Sequence, residues 1–203
     1  MAGEAGSDLV LASGSATRAA MLRAAGLDIL VDPAAVDEDE AKAALKGSGA
    51  DAPAAAEALA ELKAQRVSRR RPGALVLGCD QLLECDGAWF DKPGDRAAAA
   101  RQLLALRGRA HRLHSAAVAV RDGSRIWHHV GTARLTMRPF GESFLESYLE
   151  RAGDAVLGSV GAYQLEGLGA QLFARVEGDW FTILGLPLLP LLDFLRDHRV
   201  LPA

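Results

Sequence analysis

Two runs of alternating side chains, residues 109–121 and 124–138, meet at Asp122-Gly123. Asp-Gly between alternating runs is a strong signal for a tight hairpin, because both residues tolerate positive φ. A second Asp-Gly, Asp86-Gly87, joins residues 82–85 to 88–90 in the same way. These two hairpins impose antiparallel pairing on part of the chain. The N-terminal part reads differently. Residues 8–12 are a short apolar strand, 13–15 a Ser-Gly-Ser turn, 16–25 a helix closed by Gly26, and 27–31 a second short strand. Hairpins combined with βα units predict an α/β fold whose sheet is mixed, not purely parallel.

The other elements follow from the same signals. Residues 37–40 are an acidic cluster, followed by a polar, Gly- and Ala-rich stretch to residue 52 to which no element is assigned. Pro53, tolerated in a first turn, opens a helix over 54–69. Residues 69–73 form a turn, and 74–78 a buried strand with Asp80 at or near its C-terminal end. Helices are expected over 95–106, 142–151 and 188–198, and short strands over 170–175 and 180–183. With no internal repeat and no low-complexity linker, residues 1–203 read as a single domain.

Bulk properties exclude several classes. A chain of 203 residues holds one sizeable core, or two small lobes sharing one. The formal net charge of −3 argues against a general nucleic-acid binder. Residues 1–8 carry neither a basic start nor a long apolar run, so no signal peptide is expected. No stretch reaches the roughly 18 apolar residues of a membrane span. Cys79 and Cys85 are too few for a disulfide framework and read as reduced thiols in a cytoplasmic protein. His128 and His129, as strand neighbours, face opposite ways and do not chelate as a pair.

Several residues could carry chemistry. Ser13-Gly-Ser15 before a helix, with Arg18 one turn inward, makes an anion site from free N–H groups, hydroxyls and a forked cation. It is equally an ordinary N-cap. Asp80 beyond an apolar strand stands where α/β folds gather ligands, and a carboxylate there can hold Mg²⁺ or activate water. It can also simply cap a turn. Asp37-Glu38 can be a ligand pair or a solvated loop. Lys63 and Lys92 can be phosphate contacts or surface lysines.

In sequence order these residues resemble one family, the Maf proteins (septum-formation-inhibitor-like). The resemblance rests on Leu11-Ala-Ser13-Gly-Ser15-Ala-Thr-Arg18, on Val36-Asp37-Glu38 and on Leu62-Lys63-Ala64. It continues through Gly78-Cys-Asp80-Gln81, Lys92-Pro93, Gly161-Ala-Tyr163, Glu166-Gly167, Glu177-Gly178-Asp179 and Gly185-Leu-Pro187. It implies an elongated, twisted mixed sheet with flanking helices and two lobes around a central cleft. The implied activity is pyrophosphatase action on a nucleoside triphosphate, giving the monophosphate and pyrophosphate. The implied roles are Asp80 as general base, Glu38 and Asp80 as ligands for Mg²⁺ or Mn²⁺, and Ser13, Ser15, Arg18, Lys63 and Lys92 as substrate contacts. A homodimer is compatible with the family. The alternative implied by the family name is a nucleotide-binding regulator of cell division with little catalysis.

Two departures from the family pattern stand out, the first affecting only the stiffness of the serine loop. Ala16 stands where the family usually has Pro. Three positions linked to base choice are typically Arg, Thr and Gln in the branch acting on thymidine and uridine triphosphates. They are typically Trp, Gln and Glu in the branch acting on 7-methylguanosine triphosphate. Here they are Thr17, Gln81 and Glu166, two of the three following the methylguanosine branch.

Overall fold

The computed structural model describes residues 9–202; the expected strand start at Asp8, and the segment 1–8 as a whole, lie outside the described residues. One seven-stranded mixed sheet runs in the order β2-β1-β3-β5-β6-β7, with β4 added to β3. β1 (Leu9–Leu11) lies parallel to both β2 (Leu30–Val31) and β3 (Leu75–Cys85). β4 (Ala88–Phe90) folds back on the end of β3. β5 (Ala110–Arg121), β6 (Ser124–Met137) and β7 (Phe173–Glu177) continue antiparallel. Both Asp-Gly turns form as expected, with φ of 48° at Asp86, 49° at Asp122 and 78° at each following glycine.

β3, β5 and β6 have 11, 12 and 14 residues. At about 3.3 Å per residue they run the length of an elongated molecule. The face bearing Leu75 and Leu77 carries two separate cores along that length. At one end α1 (Ala16–Ala24) and α7 (Leu188–Asp197) pack on Leu9, Leu11, Leu75 and Leu77. At the other end α4 (Arg96–Leu106) and α5 (Glu142–Ala152) pack on Leu83, Leu113 and Leu135. The opposite face is covered by α3 (Ala52–Ser68), whose alanines lie on Val76, Leu82 and Val118. This division into two cores on one sheet is the two-lobed α/β arrangement expected. The helix–sheet contact is close: a Cβ at Gly78 would lie 2.0 Å from the Ala60 carbonyl oxygen.

Several segments depart from expectation, among them β2, which covers only Leu30–Val31 of the expected 27–31. Residues left without an element form α2 (Glu38–Gly47). Its cap is Asp37, whose carboxylate accepts the Glu40 N–H at 3.0 Å, and its first turn is acidic, which suits the helix dipole. None of its residues is fully buried, although Leu45 packs at the edge of the α3-side core. Next, Asp80 is not at a strand end. β3 continues to Cys85 because β5 pairs with it without interruption from Val76–Val120 to Glu84–Arg112. Last, residues 180–183 are not a strand but a single turn of helix, α6 (Trp180–Ile183), closed by the Asp179 carboxylate accepting the Thr182 N–H at 2.7 Å. Residues 170–172 likewise belong to a 3₁₀ turn, and β7 starts at Phe173.

Among the described residues no helix is long and apolar enough to cross a membrane. Cys79 and Cys85 are buried free thiols. His128 lies 3.0 Å from a Glu57 carboxylate oxygen, while His129 stacks on Trp127.

Candidate active site

β1 stops pairing at Leu11–Leu77, and β4 begins only at Leu83. Between them, residues 78–82 of β3 have β5 on one side and no strand on the other. A cleft of about 730 Å³ opens at this free edge, a volume usual for small-molecule sites. Neighbouring strand residues face opposite sheet faces, yet at a free edge both reach the same space. Asp80 turns to the α3 face and Gln81 to the α6 face, and both line the cleft.

On the α3 face, Lys63 sits between two carboxylates. Its Nζ is 2.6 Å from Asp80 Oδ1 and 2.8 Å from Glu38 Oε1. Asp80 is only 3% exposed, and its Oδ2 is buried with no partner among the described residues. Burial pushes the Asp80 carboxyl above its ordinary range, against the opposing pull of Lys63 and Arg18. Burial acts on Glu38 in the same sense, but there the bonded Lys63 ammonium overrules it and holds that carboxyl low. The pair thus presents one raised and one lowered carboxyl, the division of labour that acid–base sites use.

At the end of β1, Ser15 caps α1, its Oγ accepting the Arg18 N–H at 3.3 Å. Ser13 Oγ accepts from the Ser15 N–H at 3.3 Å and from Arg18 Nη1 at 3.0 Å, which leaves its own hydrogen to donate. Arg18 is turned into the protein more than expected. Its Nε donates to Gly185 O at 2.7 Å and its Nη1 also reaches Cys79 O at 3.3 Å. It therefore fixes the serine loop against β3 and the turn before α7.

On the α6 face, Gln81, Ser115 and Gly131 form one row across β3, β5 and β6. Gln81 Nε2 donates to Ser115 Oγ at 2.9 Å, Ile183 O at 3.0 Å and Thr182 O at 3.2 Å. Ser115 Oγ donates in turn to Thr182 O at 2.7 Å. Two backbone carbonyls and a hydroxyl acceptor thus set the amide direction. The nitrogen faces the protein, and the carbonyl oxygen is left for a ligand. Thr17 and the exposed Glu166 also line the cleft.

Lys92 is exposed at the cleft mouth and makes no hydrogen bond or ion pair among the described residues. Its segment is anchored by Gln102 Nε2, which donates to Asp91 O at 2.9 Å. The cleft thus collects all the expected site residues: Ser13, Ser15, Thr17, Arg18, Glu38, Lys63, Asp80, Gln81, Lys92 and Glu166. It adds Lys42, which sequence reasoning missed. Glu38 and Lys42 are four apart, one face of a helix, and that signal is visible only once residues 38–47 are read as helical.

A family model described as Maf-like protein matches residues 8–198. The chain belongs to the Maf-like protein family. Curated relatives of the family match along nearly their whole length. One from Paramagnetospirillum magneticum, named nucleoside triphosphate pyrophosphatase, is 62% identical over 93% of this chain and 97% of its own. One from Granulibacter bethesdensis with the same name is 56% identical over 95% and 98%. One from Mesorhizobium japonicum, named 7-methyl-GTP pyrophosphatase, is 56% identical over 93% and 94%.

No group of three or more His, Cys, Asp or Glu forms a metal cluster among the described residues. A small hard cation needs only one or two carboxylates when phosphate oxygens and water complete its shell. The orphaned Asp80 Oδ2, with Glu38 one lysine away, fits that need.

Tyr163, which lines the cleft, is paired with a buried histidine. His111 Nε2 is 2.7 Å from the Tyr163 hydroxyl, and its Nδ1 has no partner among the described residues. Burial lowers the imidazole from 6.5 to about 4. A depressed folded value means that the associated stability is fully present above pH 6.5 and is lost as pH falls towards 4. Urea unfolding across this window is expected to show that loss in the wild type and a flatter profile in His111→Gln. An unchanged acid-side loss in the variant would assign it to other groups.

Proposed function

We propose that this chain is a nucleoside triphosphate pyrophosphatase that prefers a guanine-like, 7-methylated base. The names of its relatives support the enzyme class. The observation that carries the chemistry is Asp80 Oδ2, a buried carboxylate oxygen with no partner among the described residues, on a side chain that lines a cleft with four cations. In this reading Asp80 takes a proton from a water molecule as the water oxygen attacks the α-phosphorus. The bond from the α-phosphorus to the bridging oxygen breaks in line, and pyrophosphate leaves with the electron pair. Lys63 holds Asp80 and Glu38 in register. The α1 N-terminus with Ser13 and Ser15 cradles phosphate oxygens, and Lys92 meets the outer phosphates. Glu38 and Asp80 would hold a divalent cation, Mg²⁺ or Mn²⁺, which when bound neutralises phosphate charge.

The base assignment rests on acceptors. In this reading Gln81 offers its amide oxygen, since its nitrogen is held by Ser115, Thr182 and Ile183, and an ionised Glu166 can only accept. Two acceptors suit the N1–H and N2–H₂ edge of guanine and oppose the carbonyls of thymine or uracil. A carboxylate also favours a cationic methylated ring. The buried free thiols fit a cytoplasmic enzyme, acting as one domain, alone or as a homodimer. The buried Lys63–Asp80 pair, with Glu38 beside it, is more than a nucleotide-binding regulator needs.

The test is a panel of 7-methyl-GTP, GTP, dTTP and UTP with products identified. Pyrophosphate release and a preference for the methylated purine are expected. Thr17 offers no stacking ring, so the preference is about tenfold, near 1.4 kcal/mol. Glu166→Gln is expected to reduce that preference and raise relative activity on dTTP and UTP. A wild type that prefers pyrimidines, with a ranking unmoved by Glu166→Gln, defeats the base assignment. Release of orthophosphate instead defeats the reaction.

A further inference from the structure

Two of the cations expected to meet the triphosphate are already engaged by protein groups within the cleft. Lys63 is bonded to both Asp80 and Glu38, and Arg18 bonds Gly185 O, Ser13 Oγ and Cys79 O. A triphosphate brings about four negative charges, and Lys92 alone answers little of that. One more cation lines the cleft. Lys42 lies on α2, one helical turn beyond Glu38, with its side chain 16% exposed. Its ammonium pairs with Asp91, the neighbour of Lys92, whose side chain is 55% exposed.

That geometry makes Asp91 a replaceable partner. An ion pair with a carboxylate so open to water contributes little net stability. A phosphate chain offers the same ammonium several charged acceptors at once, and charge-assisted bonds to phosphate are the stronger kind. Position agrees with charge. Lys42 stands one turn, about 5.4 Å, beyond the carboxylate beside Asp80, and a leaving pyrophosphate extends over a comparable span.

We propose that Lys42 is a phosphate-binding residue, resting on Asp91 while the cleft is empty and passing to the outer phosphates when nucleotide enters. This rests on the triphosphate reading above. α2, none of whose side chains is fully buried, then has a function: it carries Glu38 and Lys42 to adjacent stations along the phosphate chain.

The competing account is that Lys42–Asp91 only ties α2 to the segment after β4. The two accounts differ in sign at Asp91. Full-length wild type, Lys42→Ala, Lys42→Arg and Asp91→Asn would be titrated with inorganic tripolyphosphate and with nucleoside monophosphate, and their kinetics measured. Lys42→Ala is expected to weaken tripolyphosphate about tenfold and to raise KM for the triphosphate with kcat within about twofold, leaving monophosphate affinity unchanged. Lys42→Arg should recover most of the loss. Asp91→Asn, by freeing Lys42 from a competing anion, should tighten tripolyphosphate severalfold. Equal weakening by Lys42→Ala and Asp91→Asn overturns the proposal, as does wild-type binding in Lys42→Ala. A wild type that releases pyrophosphate while Lys42→Ala is unaffected removes Lys42 alone. A wild type that binds no tripolyphosphate removes both readings.

Discussion

Asp80→Asn lowers turnover by about 10²–10⁴-fold, the usual contribution of a general base, and raises the melting temperature at neutral pH. Both effects come from the same burial. Asp80 is 3% exposed, one of its oxygens has no partner among the described residues, and its carboxyl is pushed upward by desolvation. A folded value above the unfolded one means that stability is fully present below the unfolded pKa and lost as pH rises through the folded one. The ionised carboxylate is therefore a liability to the fold at working pH, and asparagine removes it while still accepting from Lys63. The gain should vanish below about pH 4, where the carboxyl is protonated in both states. Turnover near the wild-type value would take Asp80 out of the mechanism. A lower melting temperature at neutral pH would mean that the Lys63 pair outweighs burial.

Gly78→Ala is the second large effect, and it strikes stability first. The added Cβ would stand 2.0 Å from Ala60 O and 2.8 Å from both Ala64 N and Ala64 Cβ. Backbone cannot rotate out of the way as a side-chain tip can, so α3 must move as a body. Overpacking of a core costs about 1–3 kcal/mol and occasionally more, and about 3 kcal/mol is expected here. Lys63 lies on α3 between Ala60 and Ala64, so the same shift displaces its ammonium from Asp80 and lowers kcat in the molecules that fold. Denaturant midpoints and kcat report the two parts separately. Stability within about 0.5 kcal/mol of wild type, the range of an innocuous surface change, would show that the helix yields freely.

How far the sequence could be read depended on whether a segment's structure is made locally. The β5–β6 hairpin was legible to within a residue, because its alternation is long and its Asp-Gly turn admits few geometries. α2 was not, since none of its side chains is fully buried and its apolar positions are alanines with a single leucine, Leu45, at the edge of the α3-side core. β3 looked finished at Gly78 because its polar middle imitates a strand end, and only pairing with β5, some forty residues later, keeps it extended. Residues 180–183 are too few for alternation to distinguish strand from turn. The site shows the same division. Each candidate residue stood in a recognisable motif, but Arg18's bond to Gly185 spans 167 positions and nothing local announces it. Lys42 was hidden with the helix that carries it.

The free edge at residues 78–82 has a consequence for how such a protein diversifies. Under the proposed roles, hydrolysis belongs to one face of a single strand and base reading to the other, with Asp80 and Gln81 as sequence neighbours bonded to different partners. An inherited change at Gln81 or Ser115 alters which nucleotide is welcome and leaves the Lys63–Asp80 pair in place. Under those roles lineages can change the base they accept while their chemistry stays fixed.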